Sequence, residues 1–245
     1  MGTFQFKKFS VVNERSAMKV NTDGVLLGAV MTIKPEDRTL LDIGTGTGTI
    51  ALMAAQRLSD VTQNDIFKVE AIDIDEPSAT EADKNFAKSP WADNLKAYNL
   101  SLDLYEESLP EDVKYDLIFS NPPYFEDSLT APDQRKSTAR HTSDGLSYRD
   151  IFDFAVKRLS ESGRVAFVLP SDQELQLCRY GRMCGLHLFS MTKVRTVPRK
   201  SPSRMIAEFS RERCDTPKED LITIQDEGKY TSQYLSLMHD FYLFA

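Results

Sequence analysis

The sequence predicts a doubly wound α/β domain, and three observations carry that expectation. Short apolar runs over residues 39–43, 69–74 and 115–120 each stop abruptly at a polar residue or a glycine, and segments of helical period lie between them. The first run feeds Gly44-Thr45-Gly46-Thr47-Gly48-Thr49 and then Ile50-Ala51-Leu52-Met53-Ala54-Ala55, which is the order strand, glycine loop, helix. The third ends in Asn121-Pro122-Pro123-Tyr124, where two prolines halt the strand in a tight loop. A length of 245 residues is compatible with one large α/β domain.

Residues 4–29 alternate basic and apolar side chains and lead through Met18-Lys19-Val20-Asn21 to Thr22-Asp23-Gly24. Thr22 or Asp23 reads as the N-cap of a short helix from Gly24. The functional alternative is a lid that lays Lys19, Thr22 and Asp23 beside a small ligand. In the loop that follows, Gly44, Gly46 and Gly48 let backbone approach a ligand closely. The spacing departs from the dinucleotide fingerprint, because Thr49 stands where the third glycine belongs. Asp42, at the strand's end, would repel a pyrophosphate and can meet a cationic amine.

The second strand, 69–75, precedes a helix over 76–88. Its acidic end is where a carboxylate grips a ribose diol in this kind of sheet, and Asp73 is the first choice for that grip. Asp75 suits the cap of the following helix. After Ser89-Pro90-Trp91 a weaker strand spans 95–102, and Ser101 and Asp103 at its far end either lie by an adenine ring or face water.

The Asn-Pro-Pro-Tyr loop has a definite chemistry. Asn121 offers a carboxamide oxygen, and the rigid ring of Pro122 helps to aim that residue's carbonyl. Two acceptors converging on one small volume suit a planar neutral amine with two N–H donors, such as adenine's exocyclic amine or a glutamine amide. Holding both hydrogens frees the nitrogen lone pair to attack an electrophile. Tyr124 adds a flat face for stacking. The plain alternative is an ordinary Asn-Pro turn.

Residues 125–148 show no clear period and carry Arg135, Lys136, Arg140 and His141. They read as a functional or a solvated charged loop, with His141 packed or exposed rather than a proton carrier. A helix over 148–159, a strand over 164–169 and a helix from Ser171 follow. Strands are expected at 186–197, 203–209 and 221–224, and 230–244 is an aromatic tail docked on the core. Nine basic residues (Arg179, Arg182, Lys193, Arg195, Arg199, Lys200, Arg204, Arg211, Arg213) meet two acidic ones between 179 and 213, on a chain of net charge −7. So segregated a patch fits a phosphate backbone, although a charge run is also an ordinary solvated face. Cys178, Cys184 and Cys214 have neither C-x-x-C spacing nor even number, which argues against a zinc site or a closed disulfide set. No signal peptide or membrane-length apolar run is present, so the reducing cytoplasm is the expected compartment.

The glycine loop after Asp42, an acid closing strand two and Asn-Pro-Pro-Tyr closing strand four resemble the class I S-adenosylmethionine-dependent methyltransferases that modify exocyclic or amide nitrogens. The resemblance implies a Rossmann-like class I methyltransferase sheet, mostly parallel with an antiparallel edge strand. The opening Phe4-x-Phe6-Lys7-x-Phe9, the stretch 18–29, Ser89-Pro90-Trp91, Ala139-Arg140-His141, Tyr230-Thr231 and Asp240-Phe241-Tyr242-Leu243 are similar to bacterial valine-tRNA adenine N6-methyltransferases. Asn21 departs from the glycine usual there. That family methylates the adenine just 3′ of the anticodon. The resemblance implies S-adenosylmethionine as cofactor, with the three glycines at its methionine part, Asp42 at its amino group and Asp73 at its ribose. It implies Asn121, Pro122 and Tyr124 on the target adenine. It also implies tRNA on the basic patch and on the loop with Arg135, Lys136 and Arg140. One domain is expected, with a lid over 1–36, a cofactor core over 37–175 and C-terminal strands and tail over 176–245. The rivals are an rRNA-base or release-factor glutamine N-methyltransferase, and a non-catalytic RNA-binding module.

Overall fold

The computed structural model describes residues 2–62, 66–123 and 145–245. In chain order the elements are β1 (Thr3–Gln5), β2 (Ser10–Val12), α1 (Thr22–Val30), β3 (Thr39–Ile43), α2 (Thr49–Val61), β4 (Lys68–Asp73) and α3 (Glu76–Ala87). Then come β5 (Leu95–Asn99), α4 (Leu102–Ser108), β6 (Tyr115–Ser120), α5 (Tyr148–Arg158), β7 (Leu159–Pro170), α6 (Glu174–Met183), β8 (His187–Arg195) and β9 (Arg204–Ser210). The chain closes with β10 (Lys218–Thr223), β11 (Gln225–Asp226), β12 (Lys229–Tyr230) and α7 (Ser232–Met238).

Eight strands form one sheet in the order β10-β8-β9-β7-β6-β3-β4-β5. From β3 the chain steps outward through β4 and β5, then crosses back to lay β6 and β7 on β3's other side, all parallel. The order therefore reverses between β3 and β6, the place where ligands bind in open α/β sheets. The antiparallel strand falls toward one edge: β9 runs against β7 and β8, and β10 extends that side parallel to β8.

The uninterrupted apolar runs arise because both faces are covered. Leu40, Leu117, Phe119, Ala166 and Val168 join the core shared with α1, α2 and α7. Their neighbours Leu41, Ile118, Val165 and Phe167 join the opposite core with α4, α5 and Leu177 of α6. The tail is docked as expected. Phe6 pairs with Tyr242, and the Lys7 amide donates to the Phe241 carbonyl at 2.8 Å.

Several local expectations shift. The cap of α1 is Asn21, whose side chain accepts from the Gly24 amide at 2.8 Å, so neither Thr22 nor Asp23 caps the helix. The strand expected over 95–102 is β5 and stops at Asn99, and α4 begins three residues later with Ser101 as its N-cap. Asp75, by contrast, caps α3 as expected, accepting from the Ser78 amide at 3.0 Å.

Strand reversal also divides the basic run. Arg195 ends β8 and Arg204 opens β9, so they meet with Arg199 and Lys200 at the sheet's carboxyl end. Arg211 and Arg213 follow the far end of β9, about 23 Å away at strand rise. Lys193 is held by Glu174 at 2.8 Å, while Arg179 and Arg182 are exposed on α6. Among the described residues no helix is long and apolar enough to cross a membrane.

Candidate active site

Three neighbouring strand ends build the site. The Gly44 and Thr45 amides both donate to the Ile72 carbonyl, at 2.9 and 3.0 Å, which ties the glycine loop to β4. Ser120 Oγ donates to the Ile43 carbonyl at 2.6 Å and ties β6 to β3. Gly48 needs to be glycine on two counts. Its φ is +80°, and a Cβ there would stand 2.5 Å from Phe86 Cε1.

Asp42 is fully buried on β3. Its Oδ2 accepts from Thr45 Oγ1 at 2.7 Å, whereas Oδ1 is buried with no hydrogen-bond partner among the described residues. Burial pushes its pKa up to about 7, opposed by the Thr45 bond and the Ala51 amide at the start of α2 and aided by the nearby Asp73 charge. Such an orphaned acceptor fits a ligand's ammonium group. Asp73 closes β4 and accepts from the Gly46 amide at 2.8 Å and the Asp75 amide at 2.9 Å. Its pKa is also raised, chiefly by burial, with those two amides pulling it back.

Asn121 is 6% exposed at the end of β6, with Pro122 buried beside it. The Asn121 Nδ2 donates to Met18 Sδ at 3.4 Å, so the N-terminal segment reaches over this residue. The same segment covers the glycine loop: the Met18 carbonyl and Ser16 Oγ both lie 3.5 Å from where a Gly46 Cβ would be.

Helix α3 holds that segment down. Glu81, 4% exposed, accepts from three successive amides, Glu14 at 3.0 Å, Arg15 at 2.8 Å and Ser16 at 3.1 Å. These bonds hold its carboxyl below the usual range, although burial works the other way. Asn85 bridges Val12 and the Thr47 carbonyl of the glycine loop. Sequence reading missed Glu81 and Asn85, because on a polar helix neither carries a local signal and their partners are far away in the chain. It also missed Ile74, which stands 77% exposed directly after Asp73.

The structure thus brings Asp42, Gly44, Gly46, Gly48, Asp73 and Asn121 to one place. Lys19 is exposed and donates to the Glu14 carbonyl at 2.8 Å. Thr22 and Asp23 line a cleft with Arg204, which pairs with Asp23 at 2.8 Å. Ser101 and Asp103 sit on the first turn of α4, one strand beyond Asp73. Tyr124, Arg135, Lys136, Arg140 and His141 lie outside the described residues.

Fold and site together define the methyltransferase small domain class, whose family model matches residues 15–178. A solved structure from Agrobacterium tumefaciens, described as a predicted O-methyltransferase, superposes with a TM-score of 0.62 at 16% identity, over 88% of this chain and 95% of that one. A Thermus thermophilus 16S rRNA N2 G1207 methyltransferase in complex with AdoMet and guanosine gives 0.55 at 18% identity, over 86% of this chain and 50% of that one. A Parabacteroides distasonis tRNA1(Val) (adenine(37)-N6)-methyltransferase is 42% identical over 98% of this chain and 97% of its own length. The Flavobacterium psychrophilum protein of that name is 37% identical, over 98% and 99%. The chain belongs to this tRNA1(Val) (adenine(37)-N6)-methyltransferase family.

Proposed function

We propose that this chain transfers a methyl group from S-adenosylmethionine to N6 of adenine 37 in tRNA1(Val), in the cytoplasm. The observation that carries the reading is the juxtaposition of the Asp42–glycine loop–Asp73 set with a buried Asn121 at the strand-order reversal, in a chain whose full-length relatives bear that name. Asp42 Oδ1 takes the cofactor's ammonium group, the glycine loop lies against its methionine part, and Asp73 takes its ribose. Ile74 and Leu104, both exposed, together with Ser101 and Asp103 flank its adenine ring. Lys19, Thr22 and Asp23 belong to the lid side of the same mouth. When bound, S-adenosylmethionine supplies an electrophilic methyl group on a sulfonium.

The protein's share is orientation and charge. The target adenine leaves the anticodon-loop stack at a cost of a few kcal/mol. Asn121 Oδ1 and the Pro122 carbonyl accept its two amine hydrogens, which raises lone-pair density on N6, and Tyr124 stacks on the ring. The methylated nitrogen then loses a proton to water, so no histidine base is required. Residues 1–36 serve as lid, 37–175 hold the cofactor, and 176–245 with Arg135, Lys136 and Arg140 meet the RNA.

The test is methyl transfer from labelled S-adenosylmethionine to tRNA from a strain lacking this protein, followed by nucleoside analysis. N6-methyladenosine in a valine tRNA is the expected product. Cofactor binding without tRNA labelling would move the substrate to an rRNA base or a release factor.

A pH dependence accompanies the Asp42 assignment. Its raised pKa means that below about 7 the empty site carries a neutral carboxyl. Cofactor affinity should therefore strengthen by about tenfold per pH unit on approach to 7 and then level off, from one-proton linkage. The stability term has the opposite slope. Asp42's contribution is greatest below its unfolded pKa and is lost as pH rises through 7. Calorimetric titration from acid to neutral pH checks this, and a slope that survives in Asp42→Asn would exclude Asp42 as its source.

A further inference from the structure

We infer that the C-terminal aromatic stack is a landing platform for unpaired anticodon-loop bases beside the target adenine; the inference rests on the proposed tRNA substrate. Three rings form the stack. Tyr234 is buried at 3% exposure; Tyr230 stacks on it with centroids 5.1 Å apart and 28° between planes. Phe244 stacks on Tyr230 at 5.3 Å and 12°, and also packs, tilted by 35°, on Tyr242 at 4.9 Å. Tyr230 is 42% exposed and Phe244 56%, an unusual display for two rings already parallel. Tyr230 already stacks on both Tyr234 and Phe244, so the outer ring, Phe244, is what an incoming base extends, and such stacking accepts any sequence because every base has a π-face.

Position supports the assignment. Thr223 of β10 is paired with Arg195 of β8, and the Thr231 amide donates to the Ile224 carbonyl. Tyr230 therefore stands at the carboxyl end of the sheet, the end that carries Asn121. It shares a cleft of about 340 Å³ with Thr22, Asp23 and Arg204. The cleft runs from the ends of β9 and β8, two and three places from β6, to the rings beside β10, four places from it. At roughly 4.8 Å per strand it lies about 10–19 Å from Asn121. That span is the reach of the next few nucleotides, whose stacked rise is about 3.4 Å each.

Charge divides the labour. Arg199 and Lys200 are exposed on the turn between β8 and β9 and suit phosphates, while behind them Arg204 is paired with Asp23 and Arg195 with Thr223. The β11–β12 hairpin carries exposed Asp226 and Glu227 beside a single cation, Lys229, so its tip is net negative and disfavours phosphate. The bases, not the backbone, thus face Tyr230 and Phe244. Phe244 stays 56% exposed despite its contacts with Tyr230 and Tyr242, whereas Tyr242 is buried against Phe6.

The experiment compares full-length wild type, Phe244→Ala, Tyr230→Ala and Phe244→Trp for affinity toward a fluorescent anticodon stem-loop. Thermal melting and cofactor affinity report folding. Losses of about fivefold or more are expected for the alanine variants, from the usual worth of one stacked base, with affinity kept in Phe244→Trp. Removing the base next to the target adenine should weaken wild type and leave Phe244→Ala no weaker than before. Folded alanine variants with RNA affinity within twofold of wild type would overturn the platform. So would light scattering that shows a dimer lost in Phe244→Ala while RNA affinity holds. Stack-dependent RNA binding without methyl transfer by wild type would sink the tRNA-methylation reading and leave the platform standing.

Discussion

Asn121→Ala lowers turnover by about a hundredfold or more, comparable with deleting one oxyanion-type contact. The expectation follows from where the side chain is held. It closes a strand locked to β3 through Ser120, is nearly buried, and lies beside Pro122, whose carbonyl is the second acceptor in the proposed mechanism. Losing one acceptor leaves an amine hydrogen unsatisfied and returns the lone pair to the ring. Ground-state binding of RNA depends on many other contacts, so the loss should fall on kcat rather than on KM. Cofactor affinity should change little. Since Asn121 also donates to Met18 of the N-terminal segment, cofactor titration is a necessary partner measurement. Turnover near wild type in a folded variant would remove Asn121 from the mechanism.

Arg164→Met destabilises the protein by about 3–5 kcal/mol, the usual cost of stranding one member of a buried pair. Arg164 on β7 meets Asp37 just before β3 through two bonds, at 3.1 and 2.7 Å, and also donates to the Thr32 carbonyl at 2.9 Å. Both side chains are almost wholly buried, at 3% and 2%. Removing the guanidinium leaves a carboxylate whose remaining partner is the Lys34 amide, at 2.7 Å. At roughly 2–4 °C per kcal/mol for a chain of this size, the melting midpoint should fall by about 6–20 °C. Thermal denaturation checks the figure. Adding Asp37→Asn should recover part of the loss, and a double variant no better than the single would show that burial of the aspartate charge is not the cause.

Both predictions concern residues of unequal legibility. Asn121 could be found by reading, because a strand stopped by two prolines announces its own end. Arg164 could not. It sits within a strand, and its partner is more than a hundred residues away. The cap of α1 shows a subtler limit. Asn21, Thr22 and Asp23 are all good N-cap types in consecutive positions, and only backbone geometry selects Asn21, which is extended at φ −138° and ψ 163°. The basic run shows another. Its residues are contiguous in sequence, yet β9 turns back on β8 and sends Arg211 and Arg213 away from the strand ends that hold Asn121.

What the sequence by itself determined is the set of strand ends and the residues on them: Asp42, the three glycines, Asp73 and Asn121. Period and breakers mark each end locally, and right-handed winding of parallel strands must deliver all carboxyl ends to one edge. Tertiary structure alone decided what covers that edge. Glu81 gathers the Glu14–Ser16 amides, Asn85 ties Val12 to Thr47, and Tyr230 stacks with Phe244. The reason is physical. A strand end is set by neighbours a few residues off, whereas a hydrogen bond or ring contact across the chain leaves no periodic mark until folding brings its two partners together.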